Sequence, residues 1–378
     1  MVPILSGGFS IQQFKAEYWQ QKPCLIRGLV TNFNDPIDEN DLAGLAQEQD
    51  VDSRIVSVDP MGNWQTTSGP FDDFEAVCIG HWTLLVQGTE HYFSDIDALM
   101  SAFDFIPYWR TDDVMISYST QGAGVGAHVD LYDVFLIQGK GKRHWQVGNP
   151  DPTTTEFDNN GLRQVKDFIP VIDCITECGD VLYIPPGWPH KGQTIDDALT
   201  YSIGFRAPNN ELLADILTEG LSNDIVDNER FTDAAPAHAG QAAEITPNEL
   251  NALTSQLKQA IDSEAFARHL VLRLSDQELT PEPDEGLRVD DVIEALTSAS
   301  TLCRLEGLKP LYVVDSQPEQ VIAINGEEFK CPRTCWETFF PLLNNYATEL
   351  PLVIEDQQIA RLAEVLLPIC QSGYYWFE

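Results

Sequence analysis

Apolar residues along this chain fall into two rhythms, and the change from one to the other comes near Pro208. Before it, short blocks rich in β-branched and aromatic residues dominate: DDVMISYST (112–120), YDVFLIQG (132–139), RHWQVG (143–148), DVLYIP (180–185) and ALTYSIGFRA (198–207). Gly, Pro, Asn and Asp punctuate these blocks, which is how strands separated by turns are written. No helical pattern of crossover length stands between them, so they predict an antiparallel sandwich or barrel rather than βαβ units. The opening residues are mixed. Helical spacing over 9–20 puts Phe14 and Tyr18 on one face, KPCLIRGL (22–29) reads as a short buried strand, and 39–50 is helical again.

After Pro208 the period becomes helical, over 211–221 and again over 247–274. Between these stretches lies DAAPAHAGQAAE (233–244), an Ala/Gly/Pro-rich loop, and TPEPDEG (280–286) reads as a Pro- and acid-rich linker. The tail, 288–378, alternates again: a helix in VDDVIEALTSA, strands in CRLEG, LYVVD and QVIAI, and helices near 335–347 and 357–370. The Asn325-Gly326 pair marks a hairpin before EEFKC. The expected organisation is therefore a mainly β catalytic domain over 1–207, a helical region with linker over 208–287, and a small α+β domain over 288–378.

Candidate chemistry concentrates in the strand-rich part. GAHVDLYDVF places His128 and Asp130 two residues apart, so on a strand both side chains face the same way. IPPGWPHKG brings a second imidazole, His190, just past the strand DVLYIP. Two histidines and one carboxylate that leave coordination positions open are the ligand set of non-haem Fe(II) oxygenases. H-x-D alone is a weak signal; its pairing with a later Pro-Gly-x-x-His in a strand-rich region is a stronger one. The five other histidines (His81, His91, His144, His238 and His269) have no such context and read as structural or surface groups. In VFLIQGKGKRHWQV, Arg143 shares a strand face with Trp145 and Val147, and an inward arginine needs a carboxylate partner. The competing reading leaves Arg143 in water at the hairpin mouth. Met115, Ser117 and Ser119 share a face of the preceding strand, and Ser117 is the hydroxyl expected to assist.

These segments together resemble the JmjC-type protein hydroxylases. The resemblance rests on GAHVDLYDVFLIQGKGKRHWQVG, GDVLYIPPGWPHKG and YSIGFRAPN, with KPCLIRG similar to the opening segment of JmjC chains. More narrowly, with QSGYYWFE at the end, the chain resembles the bacterial ribosomal oxygenases that hydroxylate an arginine of large-subunit ribosomal protein L-sixteen. The resemblance implies a cupin-type double-stranded β-helix, then a helical dimerisation region, then a winged-helix-like domain, and hence a homodimer. It implies Fe(II) on His128, Asp130 and His190, 2-oxoglutarate as cosubstrate with its far carboxylate on Arg143, and dioxygen as oxidant. Residues 223–290 carry no motif that can be matched.

Charge narrows the partners. Lys plus Arg number 22 against 59 for Asp plus Glu, a net of −37, so the surface repels nucleic acid and anionic lipid and draws in a basic protein. Solubility alone is the competing explanation, since acid is spread along the whole chain. Residues 1–207 hold 29 acidic and 12 basic groups, among them Asp112, Asp113 and Asp133 close in sequence to the proposed metal strands. The tail over 288–378 holds 14 acidic and 6 basic groups, the wrong sign for a helix that tracks phosphates. No basic segment followed by an apolar run opens the chain and no stretch has transmembrane length, which points to the cytoplasm and to reduced thiols for its eight cysteines. Three rivals remain: a JmjC-type hydroxylase or lysine demethylase acting on another basic protein, a metallo-cupin enzyme that uses no keto acid, and a non-catalytic winged-helix binding protein with a vestigial barrel.

Overall fold

The computed structural model describes residues 5–59, 61–151, 157–159, 162–166, 168–232, 241, 243–314, 317–352 and 355–378. The chain divides into two compact units, 1–207 and 208–378.

The first unit opens with α1 (Ile11–Glu17), capped by the Ser10 hydroxyl, then β1 (Cys24–Ile26) and α2 (Glu39–Leu45), whose start is fixed by a capping box between Asp38 and Asp41. There follow β2 (Ser53–Val58), β3 (Trp64–Ser68), α3 (Phe74–Val77), β4 (His81–Val86), α4 (Ser94–Ser101) and β5 (Thr111–Ser119). The remaining strands are β6 (Asp133–Gln138), β7 (Lys142–Gly148), β8 (Phe157–Asn159), β9 (Leu162–Gln164), β10 (Pro170–Thr176), β11 (Val181–Ile184), β12 (His190–Asp196) and β13 (Ala198–Phe205). An eight-stranded antiparallel sheet runs β1-β11-β6-β13-β5-β4-β2-β3, and a three-stranded sheet runs β10-β7-β12. This is the expected barrel-type architecture built from two facing sheets.

Both faces of the large sheet are covered, which explains the unbroken apolar run VFLI in β6. Phe135 and Ile137 point outward into the main core with Phe14, Phe103, Tyr183 and Phe205, while Val134 and Leu136 point inward toward Trp145, Val147, Leu182 and Ile184. The outer cluster is what α1 and α4 bury their apolar faces against. Strands β2, β3, β4, β8, β9, β10 and β12 are absent from the sequence-based reading. β10 and β12 alternate too weakly to stand out, and β12 follows PPGWP directly.

Asp133, close in sequence to the proposed metal strands, is fully buried beneath the outer core. It pairs with Arg110 at 3.1 Å and accepts from Tyr183 Oη at 2.5 Å and from Gln20 Nε2 at 3.1 Å. Strand alternation accounts for the placement: Asp133 lies on the opposite face from Val134 and Leu136.

The second unit begins with α5 (Asn210–Ser222). The helical run 247–274 is two helices, α6 (Pro247–Ile261) and α7 (Glu264–Ser275), because the Ser263 hydroxyl accepts from Phe266 N and starts a new helix. Most of the Ala/Gly/Pro-rich loop, 233–240 and 242, lies outside the described residues. Then come α8 (Val289–Thr297), β14 (Thr301–Arg304), β15 (Leu311–Tyr312), β16 (Glu319–Ile324), β17 (Glu327–Pro332), α9 (Arg333–Asn344), β18 (Ala347–Glu349), α10 (Asp356–Gln371) and β19 (Tyr375–Phe377). Asn325 and Gly326 form the two-residue turn between β16 and β17, with φ of 47° and 80° as a primed turn requires. Among the described residues no helix is long and apolar enough to cross a membrane.

Candidate active site

The two candidate imidazoles are neighbours across strands. His128 N donates to His190 O at 3.0 Å and His190 N donates to His128 O at 2.9 Å, an isolated antiparallel bridge. This bridge brings the rings to a centroid distance of 4.2 Å, with Asp130 Oδ2 at 3.9 Å from His128 Nε2 and 3.5 Å from His190 Nε2. One donor atom from each of the three residues lies within 4.8 Å of the others, the spacing of a divalent-metal site.

Each ring's Nδ1 faces a carbonyl, Gly126 O at 3.1 Å for His128 and Trp188 O at 3.0 Å for His190. Those carbonyls can only accept, so the proton sits on Nδ1 and the Nε2 lone pair is left for a metal. Burial, and then the neighbouring His128, hold His190 below the ordinary imidazole range, which keeps it in the neutral form that a ligand needs. The donor set therefore fits Fe(II), with coordination positions left for other ligands.

Arg143 lies inside, as the inward reading expects. Its strand shows the alternation directly, with Arg143, Trp145 and Val147 all buried. Its guanidinium donates to the Ser119 hydroxyl and, at 3.3 Å, to Thr194 Oγ1, and it stacks 5.5 Å over the Trp145 ring. Nε has no protein partner, and among the described residues Arg143 makes no ion pair. Burial pushes its pKa down to about 10, so it stays a cation at neutral pH. A buried cation surrounded only by hydroxyls and an indole face is an anion site. The room for it comes from Gly192: a Cβ there would fall 2.7 Å from the Trp145 ring and 3.0 Å from Arg143 Cδ.

The histidines, Asp130 and Arg143 line one cavity of ≈ 420 Å3. Its wall is the inward row of the large sheet, with Arg54 and Val56 on β2, Thr83 and Leu85 on β4, and Met115 and Ser117 on β5. Ser117 thus faces the cavity as expected, but the hydroxyl that touches Arg143 is Ser119, one step further along the same face. Alternation had already put Ser119 on that face. Thr194 had no such signal, since β12 itself was unforeseen. Tyr132 also lines the cavity, and its phenol is pushed up by burial and then by the charges of Asp130, Asp113 and Asp112, offset in part by Arg54.

The chain is similar to known proteins over nearly its whole length. Residues 98–213 match the JmjC domain family. The chain is 35% identical to the Escherichia coli (strain K12) "Ribosomal protein uL16 3-hydroxylase" over 97% of this chain and 97% of that protein. The crystal structure of E. coli YcfD superposes with a TM-score of 0.88 at 34% identity, covering 100% of both chains. The structure of YcfD, described as a ribosomal oxygenase in complex with cobalt and 2-oxoglutarate, gives a TM-score of 0.85 at 35% identity, covering 100% of this chain and 99% of that one. With sequence likeness and fold both sustained over nearly the full length of each, the chain belongs to the JmjC-domain ribosomal oxygenase family.

Proposed function

We propose that this protein is a 2-oxoglutarate- and Fe(II)-dependent oxygenase that hydroxylates an arginine side chain of large-subunit ribosomal protein L-sixteen. The observation that carries the reading is one cavity holding both a His-Asp-His donor set and a buried arginine without a protein counter-charge. When bound, Fe(II) and 2-oxoglutarate would supply the oxidising chemistry: 2-oxoglutarate loses carbon dioxide, one atom of dioxygen ends in succinate and the other in the substrate hydroxyl.

The chain supplies position. The carbonyls of Gly126 and Trp188 orient the two imidazoles through Nδ1, so that Nε2 of each and the Asp130 carboxylate converge. Arg143, helped by the hydroxyls of Ser119 and Thr194, takes the distal carboxylate of the cosubstrate in a charge-assisted fork. Trp145, Val134 and Leu136 keep that end dry, which strengthens the pairing. The relative's name, which cites ribosomal protein uL16, supports the same substrate.

The test is mass spectrometry of ribosomal proteins incubated with the enzyme, Fe(II), 2-oxoglutarate and air. One added oxygen atom on a carbon of one arginine is the expected result; fragmentation that places it on a lysine, histidine or asparagine overturns the substrate. His128→Ala should abolish succinate formation with the thermal midpoint little changed, and full activity in that variant would refute the metal assignment.

The same reading makes the protein a homodimer through its helical region. α6 buries no residue of its own, and Leu250, Leu253, Leu257 and Ile261 form one stripe, each 43–52% exposed. A second copy covers such a stripe. Light scattering that finds only monomer at micromolar concentration would remove this part of the proposal.

A further inference from the structure

The segment 280–286, which sequence reads as a linker, is fastened down together with Leu287. Asp284 N donates to Gln371 O at 2.9 Å and Gln371 Nε2 returns a bond to Leu287 O at 2.9 Å, tying the segment to the end of α10. Gly373, with φ of +79°, lets the backbone of Glu282 lie directly on it, since a Cβ there would fall 2.3 Å from Glu282 O. The segment is thereby one wall of a groove of ≈ 450 Å3 whose opposite wall is β19, with Tyr375, Trp376 and Phe377.

The chemistry of this groove is one-sided. Its lining holds the exposed carboxylates of Glu282 and Asp284 and no Lys or Arg. Beside the lining, Glu378 accepts from Trp376 Nε1 at 3.4 Å. Of the cations beside the lining residues, Arg288 is turned to Asp291 at 3.6 Å, and Arg304, opposite Tyr375 on β14, is buried. An indole face beside carboxylates on a fixed backbone is how proteins take up a guanidinium or ammonium group, through ring quadrupole and counter-charge together. Nucleic acid and anionic lipid are repelled from such a surface.

We propose that this groove is a docking site for a cationic segment of the protein substrate, separate from the residue that is hydroxylated. An arginine or lysine of that segment lies against Trp376 with Glu282 and Asp284 beside its charge. The inference rests on the reading of the enzyme as an oxygenase of a basic ribosomal protein. Holding the substrate here raises the effective concentration of the rest of the same polypeptide.

The experiment compares two substrates on the full chain: intact ribosomal protein L-sixteen and a short peptide of its hydroxylated loop. The charge variant is Glu282→Gln with Asp284→Asn, which keeps the Asp284 acceptor used by Gly286 N. The ring variants are Trp376→Ala and Trp376→Phe. For the intact protein, the charge variant and Trp376→Ala should each raise KM roughly five- to tenfold with kcat unchanged, and Trp376→Phe should recover part of the loss. Kinetics on the loop peptide should not move. Equal KM values for intact protein in wild type and both variants, or parallel losses on protein and peptide, would overturn the docking site. Calorimetric titration of the metal-free enzyme with intact L-sixteen separates this from the catalytic proposal. Weaker binding in the variants is expected whether or not oxygen is transferred, and unchanged binding refutes the groove. Wild type that binds but hydroxylates neither substrate refutes only the activity.

Discussion

Two arginines are buried in the first unit, Arg110 and Arg143, and they are held there in opposite ways. Arg110 has a full set of internal partners. It pairs with Asp133 at 3.1 Å, donates to Arg206 O at 3.1 Å and lies 5.4 Å from the Trp19 ring, and Asp133 is in turn bonded by Tyr183 and Gln20. Arg143 has two hydroxyls, one indole face and an unbonded Nε. Isolated buried charge is strongly disfavoured, so a cation that the fold leaves without counter-charge implies an anion brought from outside. A charge neutralised from within belongs to the fold; one left open belongs to a ligand.

The largest effect expected from this contrast is on stability at the closed pair. Asp133→Ala strands Arg110 in the core and should lower unfolding free energy by about 3–5 kcal/mol, while the 2-oxoglutarate KM of the molecules that remain folded stays unchanged. Chemical denaturation followed by kinetics measures both. A raised KM with intact stability would mean that the two arginines have been assigned the wrong way round.

Next comes the open site, where the pattern reverses. Arg143→Ala should weaken 2-oxoglutarate use by about 2–5 kcal/mol, far more than it disturbs metal binding, and Arg143→Lys should restore only part. Without cosubstrate, Arg143→Met should leave the thermal midpoint level or higher, since it removes a buried charge that has no partner. Unchanged 2-oxoglutarate dependence in Arg143→Ala would move the anchor elsewhere, with Arg54 and Arg163, the other basic residues lining the cavity, next in line; Lys140 and Lys142, the alternatives sequence offers, are exposed and paired with Glu39 and Glu177.

The smallest effect is a pH dependence at the closed pair. Burial raises the Asp133 pKa above 3.8 despite Tyr183, Gln20 and Arg110, which lower it. A carboxyl raised on folding contributes stability that is fully present below its unfolded pKa and is lost as pH rises through the folded value. The thermal advantage of wild type over Asp133→Asn should therefore shrink as pH climbs from 3.8 and then level off. An advantage that grows with pH would show that Arg110, not burial, governs the carboxyl.

Strands such as β6 were legible because their apolar blocks are covered on both faces, as VFLI shows, whereas the barrel strands without such a block, β2, β3, β4, β10 and β12, were not. The candidate ligands could be picked out from the H-x-D spacing and from the Pro-Gly turn that sets off His190, although the strand expected under His128 and Asp130 is only an isolated bridge at His128, with β6 starting at Asp133. Alternation also turned Arg143 inward with Trp145. The failures follow from what sequence spacing does not carry. Asp133 looked like a neighbour of the site because it lies three residues from Asp130, yet β6 begins there and turns its side chain to the other side of the sheet. Choosing between Ser117 and Ser119 needs the depth of Arg143 in the barrel, which alternation does not give. The helix break at Asp262-Ser263 was hidden by an apolar pattern that runs through it. The 280–286 segment read as a linker from its prolines and acids, because the contact that fastens it comes from Gly373, nearly a hundred residues later.

The reciprocal backbone bonds between His128 and His190 have a consequence for hydrogen–deuterium exchange. The amide protons of two proposed metal-binding residues are locked to each other's carbonyls, so neither can exchange with solvent until the two segments part. Their protection therefore records how often the centre itself comes open, independently of which ion it holds and of whether any substrate is turned over. In metal-free protein the two amides should exchange together, at one shared opening rate, and slow together when Mn(II) or Ni(II) is added.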